Sequence, residues 1–209
     1  MKDLILIAAS GLAREVLAMR QSEFRVVGVV DDDQTLHGSA LGDVEIFGCI
    51  DRVVHLSASL LVCVGAGKGR RGIVERLAAH GVGPDRYATL ADDSVHLPAR
   101  SVVGHGTVIL AGSVLTTDVM VGDHVVIMPN CTLTHDDIVD DFATLAAGVA
   151  VGGVVRIGEA AYLGMNSSIR QRVSVGAGAT VGMGAAVLGD IPAGQTWAGV
   201  PARALGVRL

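Results

Sequence analysis

Ile157-Gly-Glu-Ala-Ala-Tyr-Leu163-Gly-Met-Asn-Ser-Ser-Ile169-Arg-Gln-Arg-Val-Ser-Val175-Gly-Ala-Gly-Ala-Thr-Val181-Gly-Met-Gly-Ala-Ala-Val187 places an Ile, Leu or Val on every sixth residue. The register runs back without a miss through 151, 145, 139, 133, 127, 121, 115, 109 and 103 to Leu97. Six is neither the 3.6 period of a helix nor the 2 of an ordinary strand, and a fixed repeat of this length marks a solenoid. Gly often follows the anchor (104, 122, 152, 158, 164, 176, 182), and the position four after it is small or β-branched, as at Thr107, Ser113, Ala161 and Ala179. The pattern predicts a left-handed parallel β-helix in which three hexads make one coil of a prism and every anchor points inward. The glycines are expected to serve corners that a Cβ would resist. A β-sandwich would vary its strand and loop lengths, so it does not fit.

Residues before about 90 alternate differently. Leu4–Ala8 reads as a buried strand, Ser10-Gly11 as a turn, and Leu12–Gln21 as a helix with Leu12, Val16 and Met19 on its apolar face. Phe24–Val30 is a second strand ending in Asp31-Asp32-Asp33. Ser59–Val64 is a third, followed by Gly65-Ala66-Gly67-Lys68 and a helix over Gly72–His80. The expectation is a small Rossmann-like α/β domain over 1–90, with a parallel sheet, followed by the left-handed β-helix over 91–209. Ligands of such sheets sit at the carboxyl ends of the strands, which directs attention to Ser10-Gly11-Leu12, Asp31-Asp32 and the Gly65 loop. Ser10-Gly11 suits either a phosphate or a simple helix cap. Asp31 and Asp32 suit either a base or ribose, or an ordinary turn. Lys68 is either a phosphate contact or solvated surface, and without GxGxxG a dinucleotide is poorly supported.

Composition narrows the classes. A formal net charge of −5 and no basic block argue against nucleic acid or an anionic membrane as partner. Aromatics at 3% and 28 glycines fit a narrow prism filled by aliphatic side chains. The mean hydropathy of +0.52 reflects solenoid interior, since no stretch approaches the ~18 apolar residues of a spanning helix. The opening MKDLILIAASGLAREV reads as strand, turn and helix rather than a signal peptide. Cys49, Cys63 and Cys131 are odd in number and lack metal spacing, which suggests buried thiols in a reduced, cytoplasmic protein.

One stretch disturbs the repeat. In Asn130-Cys-Thr-Leu-Thr-His135-Asp136-Asp137, Asp137 takes a slot otherwise held by small residues, and Asp140 and Asp141 follow. A His beside a carboxylate makes a competent general base, because imidazole titrates near ~6.5 and the carboxylate fixes its tautomer. The pattern alone leaves His135 either that base or a surface histidine at a corner.

The hexapeptide β-helix, His135-Asp136, Leu163-Gly-Met-Asn166-Ser-Ser and the closing Ala198-Gly-Val-Pro-Ala202, joined to Ser10-Gly11 and Asp31-Asp32, resemble the sugar O/N-acyltransferases. These are the sialic acid O-acetyltransferase and nucleotide-linked 4-amino-sugar N-acetyltransferase type, and the similarity covers essentially the whole chain. The resemblance implies an enzyme of polysaccharide biosynthesis in which His135 deprotonates the acceptor and Asp136 raises its basicity. It implies a nucleotide sugar held by Ser10, Gly11, Leu12, Asp31, Asp32 and Gly65. Acetyl-CoA, as acyl donor and without a metal, is then expected along Thr144, Gly153, Met165 and Met183, in a groove between prisms of a homotrimer with active sites between subunits. Relatives often carry a second His where this chain has Thr144, whose hydroxyl is expected to donate to the thioester carbonyl instead. A backbone N–H of a facing coil is the expected oxyanion donor.

The preferred reading is N-acetylation of a UDP- or GDP-linked 4-amino-4,6-dideoxysugar by direct transfer. O-acetylation of sialic acid or a related sugar is the runner-up, and a non-catalytic nucleotide-sugar-binding trimer the third. A zinc enzyme on the same prism needs closely spaced histidines, and His105, His124 and His135 are nineteen and eleven residues apart.

Overall fold

In the computed structural model, which describes residues 1–206, parallel strands of the C-terminal part pair with strands eighteen residues away, as in Val102–Val103 with Met120–Val121 and Met120–Val121 with Ile138–Val139. Three hexads therefore make one coil. The first face of the prism stacks the strands around Val103, Val121, Val139, Ile157 and Val175. The second stacks Ala91, Ile109, Ile127, Leu145, Leu163 and Val181, and the third Leu115, Leu133, Val151, Ile169 and Val187. From Ile109 onward every anchor is buried and joins one continuous core. Of the two earlier anchors Val103 is half-buried and Leu97 is 41% exposed, because the first turn has no coil beneath it and Leu97's neighbour His96 makes only an isolated bridge to Val114. The second face begins at Leu90–Ala91, which pair with Val108–Ile109. Residues 207–209 of the expected β-helical domain lie outside the described residues.

The repeat's glycines have a different cause from the one expected. The left-handed residue of each corner is the third after the anchor, and it is mostly not Gly: Asp118, His124, Asn130, Asp136, Phe142, Val154, Ala160, Asn166 and Arg172 have φ between 53° and 62°. The Gly directly after the anchor is needed for space. A Cβ at Gly152 would lie 2.7 Å from Gln171 N, and one at Gly164 2.6 Å from Met183 N, on the backbone of the next coil. Stacking distance, rather than turn conformation, selects glycine there.

The N-terminal part contains a three-stranded parallel sheet with β1 (Lys2–Ile7) between β2 (Phe24–Val30) and β3 (Ser59–Val62). Alternation along β1 sends Leu4 and Leu6 to one face and Ile5 and Ile7 to the other. Helix α1 is Gly11–Leu17, shorter than expected, and buries Leu12, Ala13 and Val16. Helix α2 is Gly67–Ala78, starting five residues before the expected Gly72. Gly67 belongs to that helix rather than to the loop, and a Cβ on it would collide with Phe142 O. The Leu4 face of the sheet, with α1, packs on the second face of the prism. Val108 and Val126, one residue before their anchors and so outward-pointing, are buried there at 0% and 1%. The equivalent Val102 and Met120 on the first face are more than half exposed. Among the described residues no helix is long and apolar enough to cross a membrane.

Candidate active site

His135 and Asp136 stand on the edge between the third and first faces, both side chains 60% exposed. Asp136 takes the left-handed corner conformation, φ 61°, which aims its carboxylate back along the edge at the imidazole. Nδ1 lies 2.8 Å from Asp136 Oδ2. A carboxylate only accepts, so Nδ1 carries the proton and Nε2 presents its lone pair. Below it Gly153 is the reason the ring fits: a Cβ there would fall 2.5 Å from His135 Cε1 and collide with Nε2. His135, Gly153, Val154, Gln171 and Arg172 line a cavity of about 130 Å³. The dyad thus offers a positioned proton acceptor opening onto a small concave surface.

The other carboxylates of the disturbed hexads do different work. Asp137 points into the prism and accepts from Thr134 N at 2.8 Å and Val155 N at 2.9 Å. Burial pushes its carboxyl up to about 6, against those two N–H donors. Asp140 pairs with Arg156, and Asp141 accepts from Asp123 N on the preceding coil. Cys131 faces inward, as its slot predicts, and Cys63 is buried too, while Cys49 is half-buried.

The three loops expected to converge at the carboxyl ends of the N-terminal strands do so. Ser10 Oγ accepts from Ala13 N as the cap of α1 and donates to Cys63 O at 2.5 Å. Asp31 accepts from Ala9 N at 2.8 Å and from Asp33 N at 2.9 Å. Asp32 accepts from Ile50 N and pairs with Arg76 at 2.6 Å. Leu12 is buried, whereas Gly11 and Gly65 border open space. Lys68 is exposed.

Thr144 is not in a cofactor groove. It is 4% exposed beneath the N-terminal domain, its Oγ1 donates to Gly65 O at 2.9 Å and accepts from Arg70 Nη2 at 3.0 Å. With its proton committed, it has nothing to offer a thioester. Met165 and Met183 are exposed, 49% and 78%, on the edge between the second and third faces, one coil apart. One chain therefore carries its dyad, its candidate donor-binding methionines and its Gly65 loop on three different edges. His105 and His124 lie on the third of these, away from His135, so no zinc triad is gathered. Among the described residues no cluster of three or more His, Cys, Asp or Glu is placed to hold a metal.

Arg70 has no role in the sequence reading beyond being too small a part of the charge to form a basic block. It is fully buried, and its guanidinium donates to the carbonyls of Val64, Gly65, His124, Phe142 and Ala143 at 2.7–2.9 Å. Beside it His124 stacks on Phe142 and meets Tyr87 edge-on, and burial holds its imidazole down to about 4. The available signal was the glycines flanking Arg70: Gly67 lets the helix start lie close against the prism, and Gly69 makes room for Val64.

Residues 100–135 match the family Bacterial transferase hexapeptide (six repeats). No curated protein matches the chain in sequence. Among solved structures, the acetyltransferase domain of PglB from Neisseria gonorrhoeae FA1090, in complex with acetyl coenzyme A, is 29% identical. Its TM-score is 0.83, over 98% of this chain and 99% of that one. PerB from Caulobacter crescentus, in complex with CoA and GDP-perosamine, is 25% identical with a TM-score of 0.88, over 99% and 98%. WeeI from Acinetobacter baumannii AYE, 24% identical with a TM-score of 0.84 over 98% and 100%, shares the fold. The chain carries hexapeptide repeats, and its solved neighbours support an acyltransferase. Along its whole length, small α/β domain included, it resembles the sugar O/N-acyltransferases.

Proposed function

We propose that the protein transfers an acetyl group from acetyl-CoA to the amine of a nucleotide-linked 4-amino-4,6-dideoxysugar, with His135 as general base. The observation that carries this reading is the His135–Asp136 pair at 2.8 Å with Nε2 free above Gly153. The solved relatives that bind CoA, acetyl-CoA and GDP-perosamine support the two substrates. The amine reaches the site protonated in neutral water and must shed a proton to attack a thioester. Nε2 takes it directly or through one water, and Asp136 holds the resulting imidazolium. Acyl transfer is then direct: the amine nitrogen bonds to the thioester carbonyl carbon, the C–S bond breaks, and the nitrogen's remaining surplus proton passes to the departing thiolate, which leaves as CoA-SH.

The nucleotide sugar belongs at Ser10, Gly11, Leu12, Asp31, Asp32 and Gly65, where open space lies over the two glycines. Because Ser10 and Asp31 already tie the loops together and Asp32 is engaged by Ile50 N and Arg76, the backbone of this cradle carries much of the recognition. Acetyl-CoA belongs beside Gly153, Met165 and Met183. These residues and His135 lie on the two edges that border the third face, whose outward residues include the small Thr132, Ala150 and Ser168. A homotrimer closed about that face brings the His135 edge of one copy to the methionine edge of the next, a heterologous contact that closes in three. Each active site then lies between subunits. The location of such an enzyme is the cytoplasm, where both substrates are made.

The test is thiol release from acetyl-CoA with a panel of UDP- and GDP-linked amino sugars. Turnover with at least one amine is expected. Release only with hydroxyl acceptors supports O-acetylation of sialic acid or a related sugar, and no release with any acceptor supports a nucleotide-sugar-binding trimer without catalysis.

A further inference from the structure

We infer that Arg70 and Thr144 form a clamp that sets the Gly65 loop for the nucleoside diphosphate part of the substrate, making both of them positioning residues. The inference rests on the nucleotide-sugar reading above.

Among the described residues Arg70, a buried cation, has no carboxylate partner. Its counter-charge is a ring of carbonyl dipoles, and burial lowers its pKa to about 10. A buried charge left this way is costly, and an apolar residue would fill the space more cheaply. What the guanidinium does that an apolar residue cannot is join three separate segments with directed bonds. Nη1 holds Val64 O and Gly65 O of the loop after β3, at 2.8 and 2.9 Å. Nη2 holds Phe142 O and Ala143 O of one coil, at 2.7 and 2.9 Å, and Nε holds His124 O of the coil before it, at 2.8 Å. Thr144 closes the circuit, accepting from Nη2 and donating to Gly65 O. Gly65 O is thus fixed twice, once from each domain. With its carbonyl pinned inward, the loop keeps the other side of its backbone over open space. Gly67, the first residue of α2, is pressed against Phe142 and Ala160, so the loop cannot retreat from the prism.

The clamp works through hydrogen-bond direction, so it predicts an effect on nucleotide affinity separate from acetyl-CoA. The informative variants are Thr144→Val, which keeps the shape and removes the hydroxyl, and Thr144→Ser, which restores it. Binding of UDP and GDP alone, and of acetyl-CoA alone, is measured by calorimetry. Thr144→Val is expected to weaken the preferred nucleotide by about tenfold, the worth of one hydrogen bond, with acetyl-CoA affinity unchanged and Thr144→Ser close to wild type. Arg70→Lys, which replaces the planar fork by a point charge, is expected to weaken the nucleotide further. Unchanged nucleotide affinity in Thr144→Val overturns the clamp. So does an equal loss for acetyl-CoA, or a Ser variant as weak as the Val variant. If the wild type binds neither nucleotide, the pocket assignment and the clamp fall together. If it binds one yet transfers no acetyl group, the catalytic reading fails while the clamp is still measured.

Discussion

Gly153→Ala tests the geometry beneath His135. Gly153 is outside the left-handed region, so the backbone accepts alanine, and losing a glycine restricts the unfolded chain, a gain of about 0.4–1 kcal/mol. The new methyl carbon would lie 2.5 Å from Cε1 and 2.8 Å from Cδ2 of His135. Ordinary carbon contacts sit at ~3.5–4.0 Å, so the ring must withdraw by roughly 1 Å. Since the side chain is 60% exposed, it can swing toward solvent at little cost to folding. That movement breaks the bond to Asp136 and displaces Nε2. A misplacement of about 1 Å costs roughly 100-fold in rate, or about 2.7 kcal/mol of barrier. Steady-state thiol release should therefore show kcat down about 100-fold, with a melting temperature equal to or above wild type. Gly189→Ala, on the same edge but bordered by open space, is the neutral control. A Gly153→Ala enzyme with wild-type kcat would refute the assignment of Nε2 as the proton acceptor.

Asp136→Asn should lower kcat by about 100-fold with little change in acetyl-CoA affinity, because an amide can present a donor to Nδ1 and misplace the proton; equal rates across the pH range would count against the dyad. Asp137→Ala leaves two buried N–H groups, of Thr134 and Val155, without acceptors, and should cost about 2–4 kcal/mol in urea unfolding while sparing most activity. An inactive but equally stable variant would assign Asp137 to the chemistry instead. His124 is held down to about 4 in the folded chain against an ordinary 6.5, so the unfolded chain binds the proton that the folded one refuses. Stability is complete above pH 6.5 and falls as pH drops toward 4, by up to about 3 kcal/mol. His124→Phe should flatten that part of the urea-midpoint profile, and an unchanged slope would place the titration elsewhere.

How much of this was legible in the sequence follows from how local each cause is. The prism was readable because each anchor repeats its own neighbourhood, and a register of eighteen follows from three hexads. Even so, the reason for the glycines was not, since the obstacle to a Cβ at Gly164 is Met183 N on another coil. Helix α2 was placed late because Gly67 and Gly69 look like loop, although the smallness of Gly67 serves the seam with Phe142 and that of Gly69 makes room for Val64. His135 and Asp136 were readable because neighbours in sequence are neighbours on the edge. Asp137 stood out equally well, yet it faces the other way, and alternation about Leu133 was the clue to that. Thr144 and Arg70 were not readable. Their meaning lies in bonds across 74 and 79 residues, and nothing in Arg70-Arg71 says which guanidinium is buried.

His135→Asn is the most direct test of the account, measured as single-turnover acetyl transfer from bound acetyl-CoA to the preferred nucleotide amino sugar. Asparagine keeps a polar side chain at the cavity but cannot take a proton. The account predicts a fall of about 10²- to 10⁴-fold, with both substrates bound as tightly as by wild type. Transfer at the wild-type rate by this variant would contradict it.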